Sequence, residues 1–313
     1  MGLWVPFPRG FLSIQGKDRV IFLHRLLTHD IKGLPAGQAK PACLLDRQGK
    51  IIFYAIVHAR PEELLLELTT ESTVPAKLAL EQYLISEAVE IRDASHDYCL
   101  AAIHGADSLT QARKLCPFLD WPGASLLHCK NVPEGSDVIF AMRWDILGLP
   151  GLHLYMSANG SDKLLKKTGA TPEKFSLFDA LRIEAGVPWP GREITAQTIL
   201  NELGSEEMVS FTKGCYVGQE IVARIKYRAH PPRVLAGFTV EGTDLPVVST
   251  PVLSNSQQVG VITSSAYSPT LQKGIALGFL QYGADISDCM VQTASGMALA
   301  KITPLPFIPS QST

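Results

Sequence analysis

Apolar positions along this chain follow a mixture of helical and strand spacings up to about residue 230, and strand spacing alone after it. Asp18 to His29 places Val20, Leu23 and Leu27 on one stripe at helical spacing, with Asp18 available as an N-cap. Ile51 to Val57 is a short continuous apolar run rich in Ile and Val, which predicts a buried strand, and Leu64 to Thr69 predicts a second. Ser72-Thr73-Val74-Pro75 supplies a helix start, with Ala76, Leu80, Tyr83 and Leu84 on the buried side. Strand-like stretches at Val89 to Ile91 and Tyr98 to Ile103 precede a helical segment from Ala106 to Leu115 and a loop around Trp121 to Gly135. Val138 to Trp144 and Leu152 to Met156 flank Gly148-Leu149-Pro150-Gly151 as a β-hairpin. Phe175 to Ala185 is a helix stopped by Gly186 and Pro188.

Beyond His230-Pro231-Pro232 the pattern becomes short strands punctuated by Gly, Ser and Pro. They run over Val234 to Val240, Val259 to Thr263, Ile275 to Leu280, Met290 to Thr293 and Leu299 to Thr303, which predicts a small β-barrel, with Pro304 to Thr313 as a loose tail. Periodicity alone thus reads as α+β followed by all-β.

Composition narrows the function classes. The 313 residues are 46% hydrophobic, enough for well-packed cores in two or three domains. A net charge of -2 argues against a strongly basic nucleic-acid binder. No apolar run reaches the ~18 residues of a membrane span, and Met1 to Pro6 shows neither a signal peptide nor an Arg-rich presequence, so cytoplasmic residence is the expectation. The cysteines at 43, 99, 116, 129, 215 and 289 show no CxxC spacing, so reduced thiols are expected, with no zinc site and no permanently held cluster.

Candidate chemistry concentrates in Lys213-Gly214-Cys215-Tyr216-Val217-Gly218-Gln219-Glu220. Ile221 and Ile225 share a helical face, so a helix starts near Gly218 to Glu220 and Cys215 lies just ahead of its free N–H groups. With Lys213 alongside, those groups would favour the thiolate, and Gly214 and Gly218 would permit close approaches. Glu184 ends its helix, where the terminal partial charge disfavours a carboxylate, so it needs a compensating partner. Arg224, Lys226, Arg228, His230 and Arg233 form a basic stretch that is either a solvated face or an attractor for an anionic ligand or an RNA backbone. Asp46 reads as a turn, Glu202 as a loop residue, and His24, His29 and His153 as ordinary histidines.

The octapeptide resembles the signature of the YgfZ family, folate-binding proteins related to the T-protein (aminomethyltransferase) of the glycine cleavage system. Arg182-Ile183-Glu184-Ala185-Gly186-Val187-Pro188-Trp189-Pro190-Gly191 is similar to that family's second landmark, and Ser268-Pro269-Thr270-Leu271 to its C-terminal pattern. Gly16-Lys17-Asp18, Leu26-Leu27-Thr28-His29-Asp30 and Leu45-Asp46 with Gly49-Lys50 follow its opening. The resemblance implies a three-domain α+β ring, with two interleaved domains in residues 1–230 and the barrel in 231–313. It implies a tetrahydrofolate or derivative held partly by Glu184, with Tyr216, Gln219, Arg224 and Arg228 as further cofactor-binding positions, and Cys215 with Lys213 as the reactive pair. It also implies a role in assembling or repairing iron–sulfur enzymes, including those that modify tRNA. Against the transferase alternative, Gly49-Lys50-Ile51-Ile52-Phe53-Tyr54 puts Phe53 and Tyr54 where T-protein keeps an aspartate, and no Asp or Glu lies between Asp46 and Glu62.

Overall fold

The computed structural model of the chain describes residues 3–115, 127, 129–131, 138–158, 160, 175–284 and 288–309. The loop expected around Trp121 to Gly135 falls mostly outside these residues, as does Cys116, and where it is described, at Cys129–Asn131, it is corrected to a short strand held by its neighbour's ladder. Two compact units divide the chain: residues 1–145, 149–173 and 206–219 make the first, and residues 146–148, 174–205 and 220–313 the second.

In chain order the first unit holds β1 (Leu3–Phe7), β2 (Arg9–Gln15), α1 (Arg19–Leu26), β3 (Ala39–Leu45), β4 (Ile51–Ala59), β5 (Leu64–Thr69), α2 (Thr70–Glu81), β6 (Glu90–Asp93), β7 (Tyr98–His104), α3 (Ser108–Leu115), β8 (Cys129–Asn131), β9 (Val138–Arg143) and β10 (Gly151–Ser157). They form two antiparallel five-stranded sheets, ordered β1-β7-β10-β9-β8 and β3-β4-β5-β2-β6. The sheets interleave in sequence, because β1 leaves for the sheet completed after residue 98. Side-chain alternation gives each face of β4 its own task. Phe53, Ala55 and Val57 meet Phe22, Leu23 and Leu27 of the α1 region and Ala76 and Leu80 of α2. Opposite them His58 meets the rings of Phe140 and Tyr155, which stack on each other 4.1 Å apart.

Asp18 does not cap α1; its carboxylate accepts from the Ala88 N–H at 2.8 Å and so ties the helix entry to the segment before β6. β1 and β3, which the apolar pattern does not announce, contain Pro6 and Pro41 and lie at sheet edges, where a missing N–H leaves no ladder bond unmade. Asp46 builds the expected turn into β4, accepting from the Gln48 and Lys50 N–H groups at 2.8 and 2.9 Å.

Buried Glu67 joins the faces of the two sheets. It accepts from the Tyr155 hydroxyl at 2.6 Å, lies 3.2 Å from His58 Nε2 and pairs with Arg9 Nε at 3.1 Å. Burial alone would raise its pKa, but the His58 hydrogen bond and the Arg9 charge outweigh that and hold it at about 2.

The second unit carries α4 (Phe175–Glu184), α5 (Gln219–Arg228), which begins at the last residue of the first unit, and a closed barrel. The barrel consists of β11 (Arg233–Val240), β12 (Pro251–Ser254), β13 (Gln257–Ser268), β14 (Lys273–Gln281), β15 (Asp288–Thr293) and β16 (Gly296–Thr303), closed in the order β11-β14-β13-β12-β15-β16. Phe238, Val240, Val252, Ile262, Ala276, Val291 and Ala300 fill it. Outside, Ile183 of α4 packs with Ile275, Leu277 and Phe307. The end of the chain is therefore not a loose tail up to residue 309: Phe307 is buried, and its N–H donates to the Glu184 carbonyl at 2.9 Å. No helix among the described residues is long and apolar enough to cross a membrane.

Candidate functional site

Lys213, Cys215, Tyr216 and Gln219 belong to the first unit, and Glu184, Arg224 and Arg228 to the second. In the first, the segment leading to the motif is stitched to the end of α1. Ser210 N–H donates to the Thr28 carbonyl at 3.0 Å, and the buried Thr28 hydroxyl donates to the Met208 carbonyl at 2.6 Å while accepting from Cys43 N–H at 2.9 Å. Lys213 then turns inward. Its ammonium donates to the carbonyls of Leu27 at 2.6 Å, His29 at 3.1 Å and, closest of all, His24. Burial of this amine pulls its pKa down to about 8.

A lysine has three N–H donors, and all of Lys213's are engaged by these carbonyls. The carbonyls of His24 in the last turn of α1 and of Leu27 and His29 just beyond it thus take every donor, and none is left to bond the Cys215 sulfur. Tyr216 is also buried, its ring centroid 5.2 Å from Lys213 Nζ, and burial pushes its phenol up to about 12. Between these anchors Gly214 and Cys215 are exposed.

Only one motif glycine is demanded by the backbone. Gly218 has φ +81°, and a Cβ there would stand 2.6 Å from the Asp46 carbonyl oxygen, whereas a Cβ on Gly214 would meet nothing within 4 Å. α5 starts at Gln219, where the periodicity places it. Half-buried Gln219 opens the helix, Val222 is buried, and Arg224 and Arg228 lie exposed, with no ion pair among the described residues.

On β4, Phe53 is buried in the core beneath the helices. Tyr54 pairs in register with Cys43 on the other face, where burial raises its phenol. This strand offers no carboxylate.

Glu184 is 4% exposed and already satisfied. Its Oε1 accepts from the Ser268 hydroxyl and from Thr270 N–H at 3.1 Å, and its Oε2 from the Thr270 hydroxyl at 3.0 Å. Both oxygens brace the turn after β13, so a folate held by Glu184 would have to displace or share these partners. Glu184→Gln should accordingly lower stability by about 1–3 kcal/mol, because the bonds from Ser268 and Thr270 lose their charged acceptor and the Thr270 hydroxyl must turn from donor to acceptor. Urea unfolding checks this; an unchanged midpoint together with about tenfold weaker folate binding would return Glu184 to the pterin.

Arg182 does not neutralise Glu184. Fully buried, it bonds Asp179 at 2.8 Å, the Val187 carbonyl at 3.1 Å, Glu193 at 2.8 Å and Ser264 Oγ at 2.5 Å. A β-bulge between Ile262 and Ser264 lets two successive hydroxyls, of Thr263 and Ser264, reach Glu193 Oε1 at 2.7 and 2.6 Å. Glu202, expected in a loop, is buried in a 3-10 turn and accepts from Ile199 N–H at 3.1 Å and Arg233 Nε at 3.0 Å. That takes Arg233 out of the basic stretch, while His230 stacks on Tyr282 at 4.3 Å.

Against known proteins, the model of the GCVT N-terminal domain matches residues 9–213, and that of the glycine cleavage T-protein C-terminal barrel domain matches residues 233–308. Relatives named aminomethyltransferase include one from Halalkalibacterium halodurans, 25% identical over 98% of this chain and 86% of that protein. Another from Thermus thermophilus is 28% identical over 96% of this chain and 85% of its own length. The solved glycine cleavage system aminomethyltransferase T from Bartonella henselae shares the fold, with a TM-score of 0.86 and 17% identity over 99% of this chain and 87% of that one. With the first domain model spanning well over half of its length and the second covering the barrel, the chain belongs to the glycine cleavage T-protein family.

Proposed function

We propose that the chain is a tetrahydrofolate-binding member of this family whose chemistry is carried by the Cys215 thiol, and that it serves the assembly or repair of iron–sulfur enzymes in the cytoplasm, tRNA-modifying ones among them. Aminomethyltransferases of the family use tetrahydrofolate, which supports the cofactor. The observation that carries the reading is the exposed Cys215, raised between the buried side chains of Lys213 and Tyr216. An accessible sulfur is what nucleophilic, ligand-exchange and mixed-disulfide chemistry share. Contact with iron–sulfur proteins or their assembly machinery rests on the resemblance of the motif. For direct contact with tRNA the only support is the exposed cations of α5.

A second reading is aminomethyl transfer itself, and the similarity to relatives of that name over nearly the whole chain supports it more directly than it supports iron–sulfur work. Against it stand Phe53 and Tyr54, because neither side chain supplies a carboxylate to orient folate and stabilise a developing iminium charge. Incubation with an aminomethylated lipoyl carrier and tetrahydrofolate separates the two. The expected result is no methylenetetrahydrofolate above background, and turnover of about 1 per second or more would establish the second reading.

A further inference from the structure

We propose that Lys213 is a positioning residue, a clamp that fixes the Cys215 loop to the C-terminal end of α1. The role rests on the reading of Cys215 as the reactive group. Four carbonyls at a helix end lack intrahelical partners, and the helix places partial negative charge there. Lys213 answers both from a distant part of the chain, bonding the carbonyls of His24 in the last turn and of Leu27 and His29 just beyond it, and is itself only 9% exposed.

The clamp is reinforced on either side. Upstream, Lys213 N–H donates to Ser210 Oγ at 3.3 Å, and Ser210 N–H to the Thr28 carbonyl. Downstream, Tyr216 is buried beside the ammonium, and Gly218 closes against the Asp46 carbonyl. Gly214 and Cys215 are left as the exposed crest between two fixed points. A crest of this kind holds its thiol in one place without packing it, which suits a sulfur that must meet a large partner. The two motif residues therefore divide the work, with the lysine setting position and the cysteine supplying chemistry.

The test compares wild type with Lys213→Met, which keeps an unbranched side chain one atom shorter and loses its donors, and Lys213→Arg, which keeps charge and donors. Two quantities are read: amide hydrogen exchange over residues 211–217, and the pH dependence of Cys215 alkylation by iodoacetamide. The clamp predicts that Lys213→Met lowers exchange protection of the loop about tenfold or more, that Lys213→Arg restores part of it, and that the pH midpoint of alkylation stays where it is. Unchanged protection would overturn the proposal. So would a midpoint raised by about one unit at constant protection, which would mean that the lysine acts on the thiol directly. Should Lys213→Met fail to fold, Lys213→Gln, which retains two N–H donors and loses the charge, is read in the same way. Neither readout needs folate or an iron–sulfur client, so failure of the clamp leaves the Cys215 reading standing. Failure of that reading in cells leaves the clamp standing in turn.

Discussion

Cys215→Ser should abolish activity in cells while leaving the fold intact. The side chain is exposed at the crest of its loop, so the substitution removes no packing, and surface changes of this kind stay within about 0.5 kcal/mol of wild type. Serine keeps nearly the volume of cysteine, but its hydroxyl does not ionise near neutral pH, so the capacities lost are those of a thiolate: nucleophilic attack, soft-metal ligation and disulfide formation. Complementation of a strain lacking its own YgfZ-type protein measures the result, scored by the activity of an iron–sulfur enzyme at matched protein abundance. Activity should fall to the level of the empty strain. Full rescue by the serine variant would exclude thiol chemistry, and loss of soluble protein would mean that the sulfur packs in the folded state. Cys43 and Cys289 offer no substitute, because burial raises both thiols above their ordinary range.

Strong periodicity was legible as structure. The stripe of Val20, Leu23 and Leu27, the Ile- and Val-rich run from Ile51 and the Gly-punctuated stretches beyond Pro232 all become the elements their spacing predicts. Three of the strands that escaped share a physical origin. β1 and β3 carry prolines and β12 begins with one, and a proline marks a strand against itself in sequence although an edge or a strand start tolerates it. The tail after Thr303 is broken by Pro304, Pro306 and Pro309, yet Phe307 and Leu305 find apolar neighbours around Ile183, an encounter that no local pattern announces.

The site divides along the same line. Exposure of Cys215 and the helix start at Gln219 follow from local residue types, and both are there. Partners of long side chains do not follow. Lys213 spans 184 to 189 residues of sequence to reach its carbonyls, Glu184 reaches 84 and 86 residues to its hydroxyls, and Glu202 reaches 31 to Arg233. Each of these polar groups carried a visible need for a partner, and only the fold decided which one answered it. Glu184 shows this most directly. A carboxylate at a helix end needs compensation, and Ser268 and Thr270 of the same chain supply it.

Arg182→Met should destabilise the second unit by about 3–5 kcal/mol, the usual cost of removing one member of a buried ion pair. The guanidinium is fully buried, and the side chain of Glu193 is equally inaccessible. Methionine fills much of the same space but strands a carboxylate that keeps only the Trp189 N–H at 2.9 Å and the hydroxyls of Thr263 and Ser264. It also leaves Asp179 with a single, longer contact to Arg192 at 3.7 Å. Because α4 holds Ile183 against the barrel at the next position, strain at Arg182 is felt directly in that apolar contact. Urea unfolding followed by tryptophan fluorescence reads the loss, since Trp189 lies against Phe178 and donates its backbone N–H to Glu193. The double variant Arg182→Met, Glu193→Gln should recover part of it, because the stranded charge is then gone and the remaining donors still find an amide oxygen. Equal midpoints for wild type and Arg182→Met would show that Thr263, Ser264 and Trp189 satisfy Glu193 without the cation. No recovery in the double variant would place the cost in lost packing of the arginine stem instead.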